Sequence, residues 1–201
     1  MEFSLILFDQ FETLDAFGPA EIAGMLPERY QLDYFSREGG LVTSVQNIRV
    51  MTRPFRELGK GGVILIPGGI GTRKLIKNED YIADLKKHAG MMQYVLTVCT
   101  GSALLAKTGL LDGKEATSNK RVFDWVTSVN QQVKWIRQAR WVVDGKFYTA
   151  SGVTAGMDMM LGFISDRDGI DAANEIAQEI EYLWNTDRTN DPFANGTTRI
   201  V

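Results

Sequence analysis

The chain holds one cysteine, Cys99, and it stands where a strand-like run breaks. Tyr94-Val95-Leu96-Thr97-Val98 reads as a buried strand, and Thr100-Gly101-Ser102-Ala103 has the small residues that let a backbone turn and start a helix. Strand, tight turn and helix form the layout of a nucleophile elbow, which holds a reactive atom beside a helix N-terminus. The first N–H groups and the dipole of that helix favour an anion, so thiolate is expected over thiol. A thiolate is both a nucleophile and the form that oxidants attack. Most free cysteines are small core residues, but one beyond the end of a strand lies outside the layer core.

Other reactive types are few. Asp15, in Leu14-Asp15-Ala16-Phe17-Gly18-Pro19, lies in the loop expected after the first strand. It could cap a helix whose first turn holds Pro19, or it could work with Cys99. Glu21, roughly a turn and a half further on, reads as structural or partner-facing. Gly68 and Gly69 follow another strand, where glycine permits close backbone approach to a reacting centre. The run Gly68 to Lys74 lacks the spacing of a phosphate loop, which argues against nucleotide binding. His88 is the only histidine and reads as a solvated residue at a helix end. One histidine and one cysteine offer no ligand-spaced cluster, so neither metal nor cofactor is expected.

The elements that must position these residues follow from periodicity. Phe3–Phe8 is an apolar run without amphipathic alternation, as in a strand buried on both faces, and Gln31–Phe35, Val63–Ile66 and Tyr94–Val98 read as further strands. Helices are expected over Pro19–Met25, Asp80–Lys87, Gly101–Lys107, Arg121–Val129, Thr154–Ile164 and Asp168–Trp184. Asp144-Gly145 marks a hairpin between Trp141–Val143 and Phe147–Ala150. Alternating strands and helices predict a mostly parallel sheet covered on both faces. Ligands bind such sheets beyond the carboxyl ends of the strands. The loops holding Asp15, Gly68-Gly69 and Cys99 all lie there.

A chain of 201 residues with 44% hydrophobic residues suits one domain, taken as 1–186 with a polar tail over 187–201. The formal charge of −3 disfavours nucleic acid as a partner. No apolar run is long enough to span a membrane. With no basic leader and one thiol, a cytoplasmic protein is expected. The sequon Asn195-Gly196-Thr197 is then coincidental.

Four segments together resemble the ThiJ/PfpI superfamily: Val98-Cys99-Thr100-Gly101-Ser102, the stretch Ala150 to Asp158, Ile64 to Gly69, and Leu14 to Pro19. The elbow, the aspartate and Ser151-Gly152-Val153-Thr154-Ala155-Gly156 resemble its isocyanide hydratase-like branch, and also the sensor domains of some AraC-type regulators. The resemblance implies a flavodoxin-like three-layer sandwich with the class I glutamine amidotransferase-like topology. It implies that Asp15 meets Cys99 and handles protons, and that Gly68, Gly69 and Ile70 form an oxyanion-type loop. Thr100 and Gly101 would flank the sulfur, with Val153 and Thr154 on the pocket wall or capping the next helix. It also implies a homodimer formed near the active site, to which Trp141, Phe147 and the tail could contribute, unless the two aromatics are core residues.

Two departures stand out. Thr100 follows the cysteine where many relatives place histidine, and Asn119 stands in a segment that often carries one; an amide cannot act as a base near neutral pH. A cysteine–histidine hydrolase is therefore not expected. The leading reading is cofactor-free hydration of a small electrophilic carbon, such as an isocyanide, by Cys99 and Asp15. A cysteine-based oxidant or electrophile sensor, and glyoxalase-like action on small dicarbonyls, are the alternatives. A regulator of the AraC type would need a helix-turn-helix domain after the core.

Overall fold

The computed structural model describes residues 1–195; Gly196 and Thr197 of the sequon and the rest of the tail lie outside the described residues. The strands are β1 (Glu2–Ile6), β2 (Gln31–Ser36), β3 (Gly40–Thr43), β4 (Arg49–Pro54), β5 (Val63–Ile66), β6 (Tyr94–Val98), β7 (Glu115–Ala116), β8 (Lys134–Trp135), β9 (Trp141–Asp144) and β10 (Phe147–Ala150). The helices are α1 (Thr13–Gly24), α2 (Thr72–Leu75), α3 (Glu79–Met91), α4 (Gly101–Lys107), α5 (Phe123–Val129), α6 (Ala155–Asp168) and α7 (Ile170–Glu179).

Eight strands form one sheet in the order β3-β4-β2-β1-β5-β6-β10-β9. The six inner strands pair in parallel, and only the edge strands β3 and β9 run antiparallel. Helices cover both faces, making the expected three-layer α/β sandwich. β5 and β10 are buried along their whole length; β5 is wholly apolar, as a strand covered twice requires, and the one polar residue of β10, Thr149, accepts from the Thr117 N–H through its hydroxyl. From β1 the chain moves to β2 on one side and later to β5 and β6 on the other. The crevice at this switch point opens over the carboxyl ends of β1, β5 and β6, where Asp15, Gly68 and Cys99 follow.

Several local expectations need correction. α1 starts at Thr13, so Pro19 lies inside the helix and Asp15 in its first turn rather than in a loop. Pro19 cannot donate to the Asp15 carbonyl, but it is buried and its ring packs toward Gly156 of α6. Burial outweighs the local penalty. His88 is buried, not solvated, with its ring 5.8 Å from that of Phe55 and its Nδ1 unpartnered. Trp141 and Phe147 are also core residues and present no surface for a dimer. α6 runs on to Asp168, and the last helix, which follows Gly169 at φ +99°, ends at Glu179 rather than Trp184, leaving Leu183 in solvent. The short parallel pair β7–β8 was not legible, because two-residue strands carry no periodicity.

α6 approaches the sheet closely under the elbow. A Cβ on Gly156 would stand 2.8 Å from a methyl of Val98, the last residue of β6. Gly156→Ala is expected to cost about 1–3 kcal/mol through overpacking, which urea unfolding would read directly.

Candidate active site

Cys99 has φ +56°, a left-handed conformation that side chains rarely adopt. Three bonds hold it there. Its N–H donates to the Ser151 carbonyl at 2.8 Å, and its own carbonyl accepts from Ser118 Oγ at 2.8 Å and Ser102 Oγ at 2.9 Å. Strain of this kind persists only where the surroundings over-determine it. Gly101 opens α4 against the end of β5, where a Cβ would lie 2.2 Å from the Ile66 carbonyl.

Asp15 is fully buried beside the thiol. Its Oδ2 accepts from the Gly68 N–H at 2.9 Å, while Oδ1 has no hydrogen-bond partner. Burial raises the carboxyl to about 7 against the opposing effect of the Gly68 bond, and the negative charge of Glu12 adds to the rise. The thiol is pushed up as well, by burial first and the Asp15 carboxylate second. The N–H and hydroxyl of Thr100 and the amide of Asn119 pull the other way. Burial and the neighbouring carboxylate thus oppose the thiolate that the helix N-terminus favours. The pair resists carrying two negative charges, so it holds a proton that either group can release.

Asn119 is the partner that elements remote in sequence bring in. Its Nδ2 donates to Cys99 Sγ at 3.2 Å, and its Oδ1 accepts from the Arg121 N–H at 2.9 Å, which fixes the amide's orientation. Next to it, the buried Lys120 ammonium donates to Thr117 Oγ1 and the Ala139 carbonyl, both at 2.7 Å, with Asp191 Oδ2 at 3.8 Å. Arg140 binds Asp158 at 2.7 Å and lies 3.6 Å from Asp191. This buried charge cluster ties residues 187–195 to the domain; Arg140 and Trp141 both donate to the Arg188 carbonyl.

The glycine loop behaves differently from expectation. Gly68 spends its N–H on Asp15 and Gly69 donates to Thr100 Oγ1 at 3.1 Å, so neither is free to meet an oxyanion. Their requirement for glycine is steric. A Cβ on Gly68 would stand 2.6 Å from the Thr100 nitrogen, and Gly69 has φ +128°. The donors left at the sulfur are those of Thr100 and Asn119.

Cys99 opens into a cleft of about 410 Å³ that includes Gly69, Ile70, Thr100, Asn119 and Val153. Thr154 lies outside it, on an adjoining cavity that shares Asn119, Arg121 and Val153 and is bounded by Phe193 of the tail. Sequence reasoning missed Glu12, Arg73, Arg121 and Val122 on the cleft wall. Arg73 carried a faint signal, as a cation just after the glycine loop.

The DJ-1/PfpI family model matches residues 2–166. The chain belongs to the DJ-1/PfpI family. Among curated family relatives it is similar to isonitrile hydratase of Pseudomonas putida, with 32% identity over 183 residues, 90% of this chain and 78% of that one. It is also similar to the HTH-type transcriptional regulator GbdR of Pseudomonas aeruginosa, with 30% identity over 123 residues, 59% of this chain and 32% of the regulator. A solved ThiJ/PfpI family protein from Pseudomonas syringae superposes with a TM-score of 0.82 at 25% identity, covering 98% of this chain and 78% of that one.

Proposed function

We propose that this DJ-1/PfpI protein hydrates a small electrophilic carbon, an isocyanide giving an N-substituted formamide. The observation that carries the reading is the buried Asp15 carboxyl against a strained Cys99 that also accepts from Asn119. The 32% identity with an isonitrile hydratase supports the same chemistry.

In the proposed sequence the Cys99 sulfur bonds to the terminal carbon while the proton of the Cys99–Asp15 pair is delivered to that carbon. The product is a thioimidate. Asp15, now a carboxylate, takes one proton from water as the water oxygen adds to the thioimidate carbon, and the other water proton passes from the new hydroxyl to the nitrogen. The C–S bond then breaks, the formamide leaves and the sulfur recovers its proton from Asp15. Asn119 and Thr100 stabilise negative charge on sulfur in the first and last steps. The lone thiol stays reduced in a cytoplasmic setting, and the dimer implied by the family resemblance belongs to the same proposal. An oxidant sensor fits less well, because burial and the neighbouring carboxylate both lower thiolate character.

Isocyanide consumption and formamide release, followed by mass spectrometry, test the reading; no formamide from protein with an intact thiol overturns it. Asn119→Ala is expected to lower kcat by about 10²-fold, the usual loss for one preorganised donor. KM should move little, and steady-state kinetics separates the two.

A further inference from the structure

The cleft over Cys99 carries a charge arrangement that neutral isocyanides leave unused. Arg73 lies on its wall with its guanidinium 3.2 Å from the centroid of the Trp125 ring. Stacking holds a guanidinium flat while its N–H donors, which lie in the plane, remain available. One terminal nitrogen, Nη1, is buried with no hydrogen-bond partner. Among the described residues no carboxylate lies within ion-pair distance of Arg73. Arg121 adds a second cation to the same wall. The one carboxylate there that faces solvent, Glu12, already accepts from Gln46 Nε2 at 2.7 Å. The guanidinium as a whole is only half-buried, lines the cleft and pairs with no carboxylate, so a ligand oxygen in the cleft can supply the acceptor that the protein does not.

We infer that the substrate of this cleft carries a carboxylate, bound by Arg73 while its electrophilic carbon meets Cys99. A planar carboxylate matches the fork of a stacked guanidinium, and such bonds are among the stronger ones available. The inference rests on the reading that Cys99 is the nucleophile, and it names the class of electrophile that the site selects.

The test uses two alkylating agents of nearly equal size, anionic iodoacetate and neutral iodoacetamide. Each forms an S–C bond at Cys99 and expels iodide, and the thiol proton passes to buffer. Because the chain has one cysteine, labelling reports only this site. Both reagents consume the same thiolate, so the ratio of their rates is independent of its pKa. In the wild type the iodoacetate-to-iodoacetamide ratio is expected to exceed that of N-acetylcysteine by about tenfold, the size of one charge-assisted contact. Arg73→Gln should bring it to within about twofold of the free thiol, and Arg73→Lys should keep part of it. Should the variants fail to fold, 0.5 M salt should lower the wild-type ratio by screening. A wild-type ratio at or below that of the free thiol overturns the inference, as does a ratio unchanged in folded Arg73→Gln. Turnover of isocyanoacetate and its methyl ester is measured alongside. Formamide from neither, with the alkylation ratio high, removes the hydratase reading and upholds the carboxylate site.

Discussion

Cys99→Ala is expected to reduce formamide formation to the uncatalysed background while the protein stays folded. The sulfur forms and breaks the covalent bond in the proposed sequence, and no other cysteine can substitute for it. Loss of the thiol removes little packing, so unfolding in urea should move only slightly. A companion variant separates strain from chemistry. Cys99 sits at φ +56°, where a Cβ is disfavoured and glycine is not. Cys99→Gly should therefore be equally inactive yet more stable than Cys99→Ala by about 1 kcal/mol. Equal stability of the two variants would show that the elbow stores no strain. Residual formamide formation in Cys99→Ala would remove the covalent mechanism.

Asp15→Asn is expected to lower turnover by about 10²–10⁴-fold, the span of a general acid–base contribution. An asparagine can still accept from the Gly68 N–H through its carbonyl oxygen, so the loop geometry should survive. The same change should stabilise the fold at neutral and higher pH. Burial raises the Asp15 carboxyl from its ordinary 3.8 to about 7, so the native protein binds more protons than the unfolded chain between those values. This contribution to stability is complete below about pH 4 and falls away as pH rises through 7, by up to about 4 kcal/mol. Urea unfolding across pH 4–8 should show that fall in the wild type and a flatter profile in Asp15→Asn. A parallel profile for both would mean that the carboxyl is not the group that titrates. The activity profile of the wild type should also bend near pH 7, and the bend should vanish with the carboxyl.

These expectations draw unequally on sequence and structure. The buried strands were legible because a strand covered on both faces is largely apolar, as Val63–Ile66 is throughout and Tyr94–Val98 is apart from Thr97. The hairpin was legible because Asp144-Gly145 marks a tight turn, although Asp144 ends β9 opposite Phe147 and the two-residue loop is Gly145-Lys146, one residue later. The start of α1 was missed for the opposite reason. Pro19 is a strong local signal for a first turn, and only the burial of α1 against α6 outweighs it.

By itself, the sequence determined the α/β sandwich, the place of Cys99 at the end of a strand, and the candidacy of Asp15 and the Gly68-Gly69 loop. All of these are written in short segments whose pattern follows from backbone geometry. Tertiary structure alone decided that Asn119 donates to the sulfur, that the Gly68 and Gly69 N–H groups are already engaged, and that Arg73 shares the cleft. It also set the burial and charge coupling that push both acids of the site upward. Desolvation depends on what packs around a group and charge coupling on what lies within a few ångströms, and neither distance nor burial is carried by a residue's neighbours in the chain.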